Sequence, residues 1–524
     1  MKTFSGTGRW QGQGGGRGRA GQWRGGWWVA LVLAACGGSG EGMSPQEEPP
    51  PLEQVADPPT PQEPSEAVPT PPASPSEDPP GTVPEVIAPW PRHYGGKGYE
   101  RLLAMASDSS GGFVAGGFFG DAPFPLTTGF ALARYDSTGA PLWVRQVTTD
   151  DVWLNDLTVT PEGNILAVGN YRGTPNLGTG ALPEARPHLG TGPYSGVFVA
   201  KFSPSGQIVW SQGFVATSLD RDSGRVLAWS ISADAVATDA NGSLIVAGNF
   251  HGQVNFGTGT LYAGNASTYG EDPYPGGFVA KFTWQGQPVW SKAFEATPAE
   301  PRNLVHTVAT DASGNVLVGG RAGGGANLGD GLLPHASAFI VKYTPAGGFL
   351  WKRLFSNAYG EVTAVRAFGV DQVVFNANLG GIFSFAGQNY FGGDPNDQGY
   401  PLNRSGYTGA LTAQGADRWI RDQGLVTLNG LVTDAHLTVT ATGFEPHSTA
   451  SHFISRYNNS GVFLWNRSFD GGLAPLDSPH RLLLAPQPGS KVVVGSDFFN
   501  SIHHEGTVYS SRGSTDLFYF QIAP

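Results

Sequence analysis

The sequence holds one cysteine in 524 residues. A lone thiol makes no internal disulfide and no cysteine-based zinc site. Charge is scarce as well, at 14% of residues, and the formal net charge of −11 argues against nucleic acid as a partner. Long apolar runs are missing: the longest, from Trp27 to Ala35, is too short to cross a bilayer, and no other stretch approaches the ~18 residues a span needs. The catalytic signatures Gly-x-Ser-x-Gly and His-Glu-x-x-His do not occur. What the chain has in quantity is glycine (77) and proline (41), which depress helices and end strands. The length suits two to four domains or one repeat array.

All five positive charges of the first 35 residues (Lys2, Arg9, Arg17, Arg19, Arg24) precede the apolar run, the layout of a secretory signal. The run ends Leu33-Ala34-Ala35-Cys36-Gly37, which resembles the bacterial lipobox. That resemblance implies that Cys36 becomes the lipid-modified first residue after cleavage, so the expected anchor is a lipid in a membrane. A plain secretory signal with a coincidental cysteine is the alternative. Gly37 and Gly38 after the cysteine fit sorting to an outer membrane or cell surface. The Gly/Arg-rich start is long for such a signal, and translation from a start further in is also expected to serve. After residues 1–35 comes a segment, 36–86, dominated by Pro, Glu, Ser and Thr, without Lys or Arg. It cannot bury enough apolar surface to offset its ordering entropy, so a disordered, extended tether is expected.

The rest, 87–524, repeats. Ala235-Val-Ala-Thr-Asp239-Ala-Asn-Gly242, His306-Thr-Val-Ala-Thr-Asp311-Ala-Ser-Gly314 and Leu103-Ala-Met-Ala-Ser-Asp108-Ser-Ser-Gly111 each join a short apolar strand to a tight turn, and Gly163 occupies the same place in another unit. A third strand follows (Phe198-Val-Ala-Lys201-Phe202, Phe278-Val-Ala-Lys281-Phe282, Phe339-Ile-Val-Lys342-Tyr343), then a fourth carrying a tryptophan. Four short strands joined by turn chemistry describe a propeller blade. The fourth-strand tryptophans are Trp143, Trp210, Trp290, Trp351, Trp419 and Trp465. The last unit, 482–520, ends one strand short, while Trp90-Pro-Arg-His-Tyr matches Trp465-Asn-Arg-Ser-Phe at the other end. The expectation is an all-β, seven-bladed propeller of four-stranded antiparallel blades, closed by the N-terminal strand, with Trp90 in a strand paired to 516–520. Units 362–421 and 426–469 depart from the pattern at the turn (Val370-Asp371-Gln372; Thr433-Asp434-Ala435-His436), leaving six or eight blades as alternatives.

This layout resembles the bacterial SBBP (seven-bladed β-propeller) repeat family over 87–524. The resemblance implies extracytoplasmic placement and no established catalytic residues. Long second-to-third-strand loops (roughly 121–128, 171–195, 250–275, 321–337, 378–406, 444–451 and 498–515) fall on one face, which marks a binding face, unless such loops merely drift on a secreted scaffold. Recurrent Asn-Leu/Phe-Gly-x-Gly in three of them (Asn176, Asn255, Asn327) favours a shared turn over a repeated ligand site. Each turn aspartate is expected to cap its own turn. Asp394, Asn396 and Asp397 have alternating oxygen ligands suited to calcium, but Gln398 and Ser405 stand where ligands are needed. Calcium at this loop is the one cofactor entertained, and His503-His504-Glu505 lacks a visible third metal ligand. The reading is a monomeric, lipid-anchored, non-enzymatic binding or scaffold protein for an extracellular polysaccharide or protein. A secreted propeller hydrolase or lyase is the rival, to be told apart by whether a funnel on the long-loop face gathers carboxylates, His or Arg.

Overall fold

The structure is a computed structural model that describes residues 90–119, 128–186, 196–219, 226–264, 274–297, 303–356, 358–393, 404–445, 452–469 and 482–523. Cys36 and the loop with Asp394, Asn396 and Asp397 lie outside these residues. Among the described residues no helix is long and apolar enough to cross a membrane.

Seven antiparallel blades, each built on four strands, follow one another along the chain. Blades 1 to 6 cover 101–150, 152–219, 231–294, 304–355, 358–422 and 427–469, and blade 7 combines 483–522 with the N-terminal strand Arg92–Tyr94. The first strands of successive blades touch in order and that of blade 7 returns to blade 1, so the ring is closed. The departures at 362–421 and 426–469 therefore change turns and leave the blade count at seven.

Burial explains the sequence texture. In blade 2, every residue of the second and third strands, Ile165–Tyr171 and Gly196–Phe202, is buried. A strand covered by neighbouring blades on both faces reads as a continuous apolar run, unlike a half-solvated strand. Glycine enters these runs where a ring needs the space: a Cβ on Gly196 would stand 2.5 Å from the Tyr171 ring. The fourth strands, such as Pro288–Phe294, are half-buried or exposed up to a last residue, Phe294, that is buried.

Closure comes from the N-terminus. Arg92, His93 and Tyr94 pair antiparallel with Tyr519, Phe518 and Leu517. The strand begins at Arg92, and Trp90 precedes it, because Pro91 has no N–H to give the ladder. Continuing the register nevertheless sets Trp90 opposite Gln521, as Trp210 is set opposite Lys201 and Trp290 opposite Lys281. His93 Nε2 lies 2.6 Å from Oδ2 of the fully buried Asp516, and the Tyr94 hydroxyl donates to the Gly139 carbonyl of blade 1 at 2.7 Å.

The loops carrying Asn176, Asn255 and Asn327 come against the fourth strands of their own blades, and the Asn255 loop also pairs Gln253 with Thr217 on the fourth strand of blade 2. Each asparagine accepts the amides two and four residues on, as Asn176 Oδ1 does from Gly178 at 2.8 Å and Gly180 at 3.0 Å. The intervening Leu177, Phe256 and Leu328 are buried in the blade cores. The glycines that follow come against Ile208, Pro288 and Phe349, the first residues of their fourth strands or next to them. These parts of the long loops cover strand edges that would otherwise be open to pairing.

Candidate functional site

The turn aspartates tie blade to blade. Asp239 Oδ1 accepts the amides of Asn241 and Ser243, each at 3.0 Å, while its Oδ2 meets Lys281 Nζ at 2.9 Å. Asp311 does the same with Ser313, Asn315 and Lys342, and Asp108 with Ser110, Gly112 and Arg134. Gly111, Gly163, Gly242 and Gly314 all sit at positive φ, between 72° and 85°, where a side chain is strained. Burial alone would raise Asp108, Asp239 and Asp311, but the hydrogen bonds and the cation outweigh it and hold all three below the usual carboxylate range. The second carboxylate oxygen thus faces a cation of the third strand.

The same cations reach the next blade. Lys281 Nζ and Trp290 Nε1 both donate to the Pro345 carbonyl, at 3.2 and 3.0 Å, and Lys342 and Trp351 share the Ala413 carbonyl at 3.2 and 2.9 Å. Lys201 and Trp210 donate to the Trp284 carbonyl, Arg134 and Trp143 to that of Pro204, and Trp419 to that of Asn459. At the closure, Trp90 packs against Gly139 of blade 1, and Arg92 donates to the Thr138 carbonyl at 3.1 and 3.0 Å. Trp465 faces the chain end, where the fully buried Arg456 donates to the Ala523 carbonyl at 3.1 Å.

The turn at Asp434, degenerate by sequence, keeps this geometry. It accepts the His436 and Thr438 amides, pairs with Arg456 at 2.8 Å, and puts Leu437 at a φ of 59° in place of a glycine. The four units with a turn aspartate carry Lys or Arg at the third-strand position; blade 2, with Thr160 at the turn, carries Lys201 as well, and blade 5, where the aspartate is lost, has Ala410 there.

The central axis is built by a device the sequence hid. In six blades the first strand slips register by one residue, at Leu103, Asn155, Asp234, His306, Thr363 and Asn429. Such bulges re-aim a side chain. All six residues line one cavity of about 620 Å³ at the mouth of the channel, at the end of the ring where the long loops leave. Several of these groups are tied across blade boundaries. Asn155 donates to the Ala233 carbonyl at 2.9 Å, and Asn378 exchanges two bonds with the Leu428 backbone at 2.9 and 3.1 Å. Asp234 Oδ2 accepts within its own blade from Asn249 at 2.5 Å, and Asn249 exchanges two bonds with the Val305 backbone of blade 4 at 2.9 and 3.1 Å.

One chain of charge stands out there. His306 Nε2 lies 3.3 Å from Glu361 Oε2, and Arg404 Nη1 donates to Glu361 Oε1 at 3.2 Å. Burial acts to raise the Glu361 carboxyl, but the hydrogen bond and charge of His306, with the charges of Arg404 and Arg321, outweigh it and hold the group below its usual range. Glu361 is therefore an ionised carboxylate held beside the His306 ring. Tyr359, 44% exposed, lies on the same side of its strand as Glu361 and Thr363 by strand alternation, one step towards the rim, with its ring over Gly380. Beside it a hairpin made by Gln372–Phe385 and Gln388–Gly392 places the exposed Ile382 and Phe391 directly opposite each other.

Metal candidates fare differently. Among the described residues no group of three His, Cys, Asp or Glu is arranged to hold an ion. His504 packs its ring 4.6 Å from that of Phe520, and burial pushes its pKa down.

No protein-family model matches the chain, and no curated protein is similar to it at a meaningful level. Solved structures are similar in fold. The Dos1 propeller is 10% identical, covering 80% of this chain and 78% of its own, with a TM-score of 0.38. A quinohemoprotein alcohol dehydrogenase from Comamonas testosteroni is 11% identical over 82% and 76%, with a TM-score of 0.39. Sqt1 from Chaetomium thermophilum is 13% identical over 82% and 98%, with a TM-score of 0.37.

Proposed function

We propose that the chain is a lipid-anchored, extracytoplasmic propeller of the SBBP type that binds a hydroxyl-rich polymer, such as a polysaccharide, at the channel mouth on the long-loop face. The observation that carries the reading is the mouth itself: a cavity of about 620 Å³ lined by Asn, Asp, Glu, Thr, His and Arg side chains and by Phe444, with the exposed Tyr359 two residues before the lining Glu361 on the same strand. Fixed polar groups below an aromatic platform suit sugar hydroxyls and the apolar face of a sugar ring. Their bonds across blade boundaries hold them in place before a ligand arrives, which lowers the entropy lost on binding. The lipobox-like end at Cys36 and the acidic, proline-rich segment after it support display outside the cell on a long spacer.

The test uses the Cys36→Ser chain on an array of glycans and peptidoglycan fragments. A bound class whose signal falls with Tyr359→Ala supports the reading; a blank array, or a signal indifferent to Tyr359, refutes it. Anchoring is tested separately: Cys36→Ser should move the protein out of the membrane fraction, and retention there ends that claim.

The rival reading, a secreted hydrolase or lyase, is supported by the gathering of Arg101, Asp234, His306, Glu361 and Asp497 at that mouth, with His306 Nε2 3.3 Å from Glu361. An imidazole beside an ionised carboxylate can serve as general base or acid. Incubation with the polymer found on the array separates the two. New chain ends that appear with the wild type and vanish in His306→Gln establish the enzyme; intact polymer with binding retained establishes the binding protein.

A further inference from the structure

We propose that the opposite end of the channel, on the tight-turn face, is a binding site for a small oxyanion of the phosphate or carboxylate class, held by Arg366. This site is separate from the channel mouth and does not depend on the function proposed for it.

A second cavity, of about 300 Å³, opens around the axis there, with residues from all seven blades in its wall. That is space for about ten waters. At the register position that faces it, the first strands carry Ala106, Thr158, Ala237, Ala309 and Val432 in five blades and Arg366 in blade 5 alone. Blade 7 contributes Leu484 and Pro486 to the wall. The short side chains at this position in the other five blades leave the well open, and one long cation lines it.

The guanidinium is poorly satisfied. Among the described residues its one hydrogen bond runs from Nη1 to the Val365 carbonyl at 2.8 Å, which leaves most of its five N–H donors without a protein acceptor in a side chain that lines the cavity. Among the described residues Asp156 is the only other charged residue in the wall, and it belongs to blade 2, across the channel. Its two oxygens already accept the Leu157 and Val236 amides, each at 2.9 Å, which fixes it to the far wall. It tempers the arginine's charge through space, without an ion pair to Arg366. A cation taken out of bulk water, with its donor fork unfilled and its counter-charge at a distance, gains by accepting an oxyanion in bidentate fashion. The hydroxyls of Ser107 and Thr158 in the same wall can serve the remaining oxygens.

The test is calorimetric titration of the full-length chain with sodium phosphate and with sodium acetate, against sodium chloride at equal ionic strength. Saturable binding of either oxyanion is expected, weakened at least about tenfold (about 1.4 kcal/mol) by Arg366→Gln. It should be unchanged in Arg186→Gln, which removes a mostly exposed positive charge elsewhere. Should Arg366→Gln not fold, Arg366→Lys keeps the charge without the fork and should still lose most of the affinity. His306→Gln, at the other end of the channel, should leave the titration intact. No saturable heat with either anion, or equal binding by wild type and the Arg366 variants, overturns the proposal. A loss shared equally by His306→Gln overturns the assignment to Arg366.

Discussion

Arg456→Met is the sharpest perturbation this ring allows. The guanidinium of Arg456 is wholly buried, pairs with Asp434 at 2.8 Å, and donates to Ser490 at 2.6 Å and Ala523 at 3.1 Å. It therefore joins blade 6 to both the turn and the last strand of blade 7, where the ring is closed by non-covalent bonds alone. Methionine fills much of the volume but leaves Asp434 with its charge buried and uncompensated, a loss of about 3–5 kcal/mol. For a propeller of roughly 430 residues the unfolding entropy is about 0.9 kcal/mol/K, so scanning calorimetry should show Tm lower by about 3–6 °C.

The companion change is Asp434→Asn. The amide oxygen can still accept the His436 and Thr438 amides while the charge is removed. In the double variant Arg456→Met/Asp434→Asn no buried charge is left unpaired, and Tm should recover at least half of the loss. The reasoning is refuted if Arg456→Met costs less than about 1 °C, or if the double variant is as unstable as the two single changes added together.

Removing residues up to Gly96 deletes the strand Arg92–Tyr94 and the His93 contact to buried Asp516, and calorimetry should find the melting point lower by several degrees; an unchanged value would mean that the closing strand adds nothing. Acid should act on the turn aspartates. Asp108, Asp239 and Asp311 are held below their ordinary pKa in the fold, so the stability they lend is full above about pH 4 and is lost as pH falls through their lower folded values. Asp239→Asn should accordingly be less stable than wild type at pH 7, with the gap in Tm closing below about pH 4, and a gap independent of pH would contradict this. Asn255→Ala removes the acceptor for Gly257 and Gly259 in an outer loop and should speed proteolysis at that loop with Tm changed by only about 1 °C.

Much of the architecture was legible in the residues because its causes are local. An aspartate or asparagine that accepts amides two and four residues on makes a turn wherever it falls, so Asp239, Asp311 and Asn176 announce their turns without help from the rest of the chain. Runs such as Gly196–Phe202 announce strands buried on both faces, and the tryptophan repeated once per unit counts the blades through to the split seventh. Trp90 shows the limit of that logic: its register slot was legible, but Pro91 moved the start of the strand to Arg92.

The sequence by itself thus determined the fold class, the repeat, the closure and the turns, since each depends on residues a few positions apart or on a pattern that recurs. Only the tertiary structure decided the cation across from each turn aspartate, the loops laid over the strand edges and the two ends of the channel. Asn155, Asp234, His306 and Thr363 share no motif, and they meet because a one-residue bulge recurs in strands roughly 60 to 80 residues apart. Arg366 likewise looks like any strand arginine until ring closure sets it among alanines on the axis. Convergence of distant, dissimilar side chains on one point is a property of the closed ring, and no local segment encodes it.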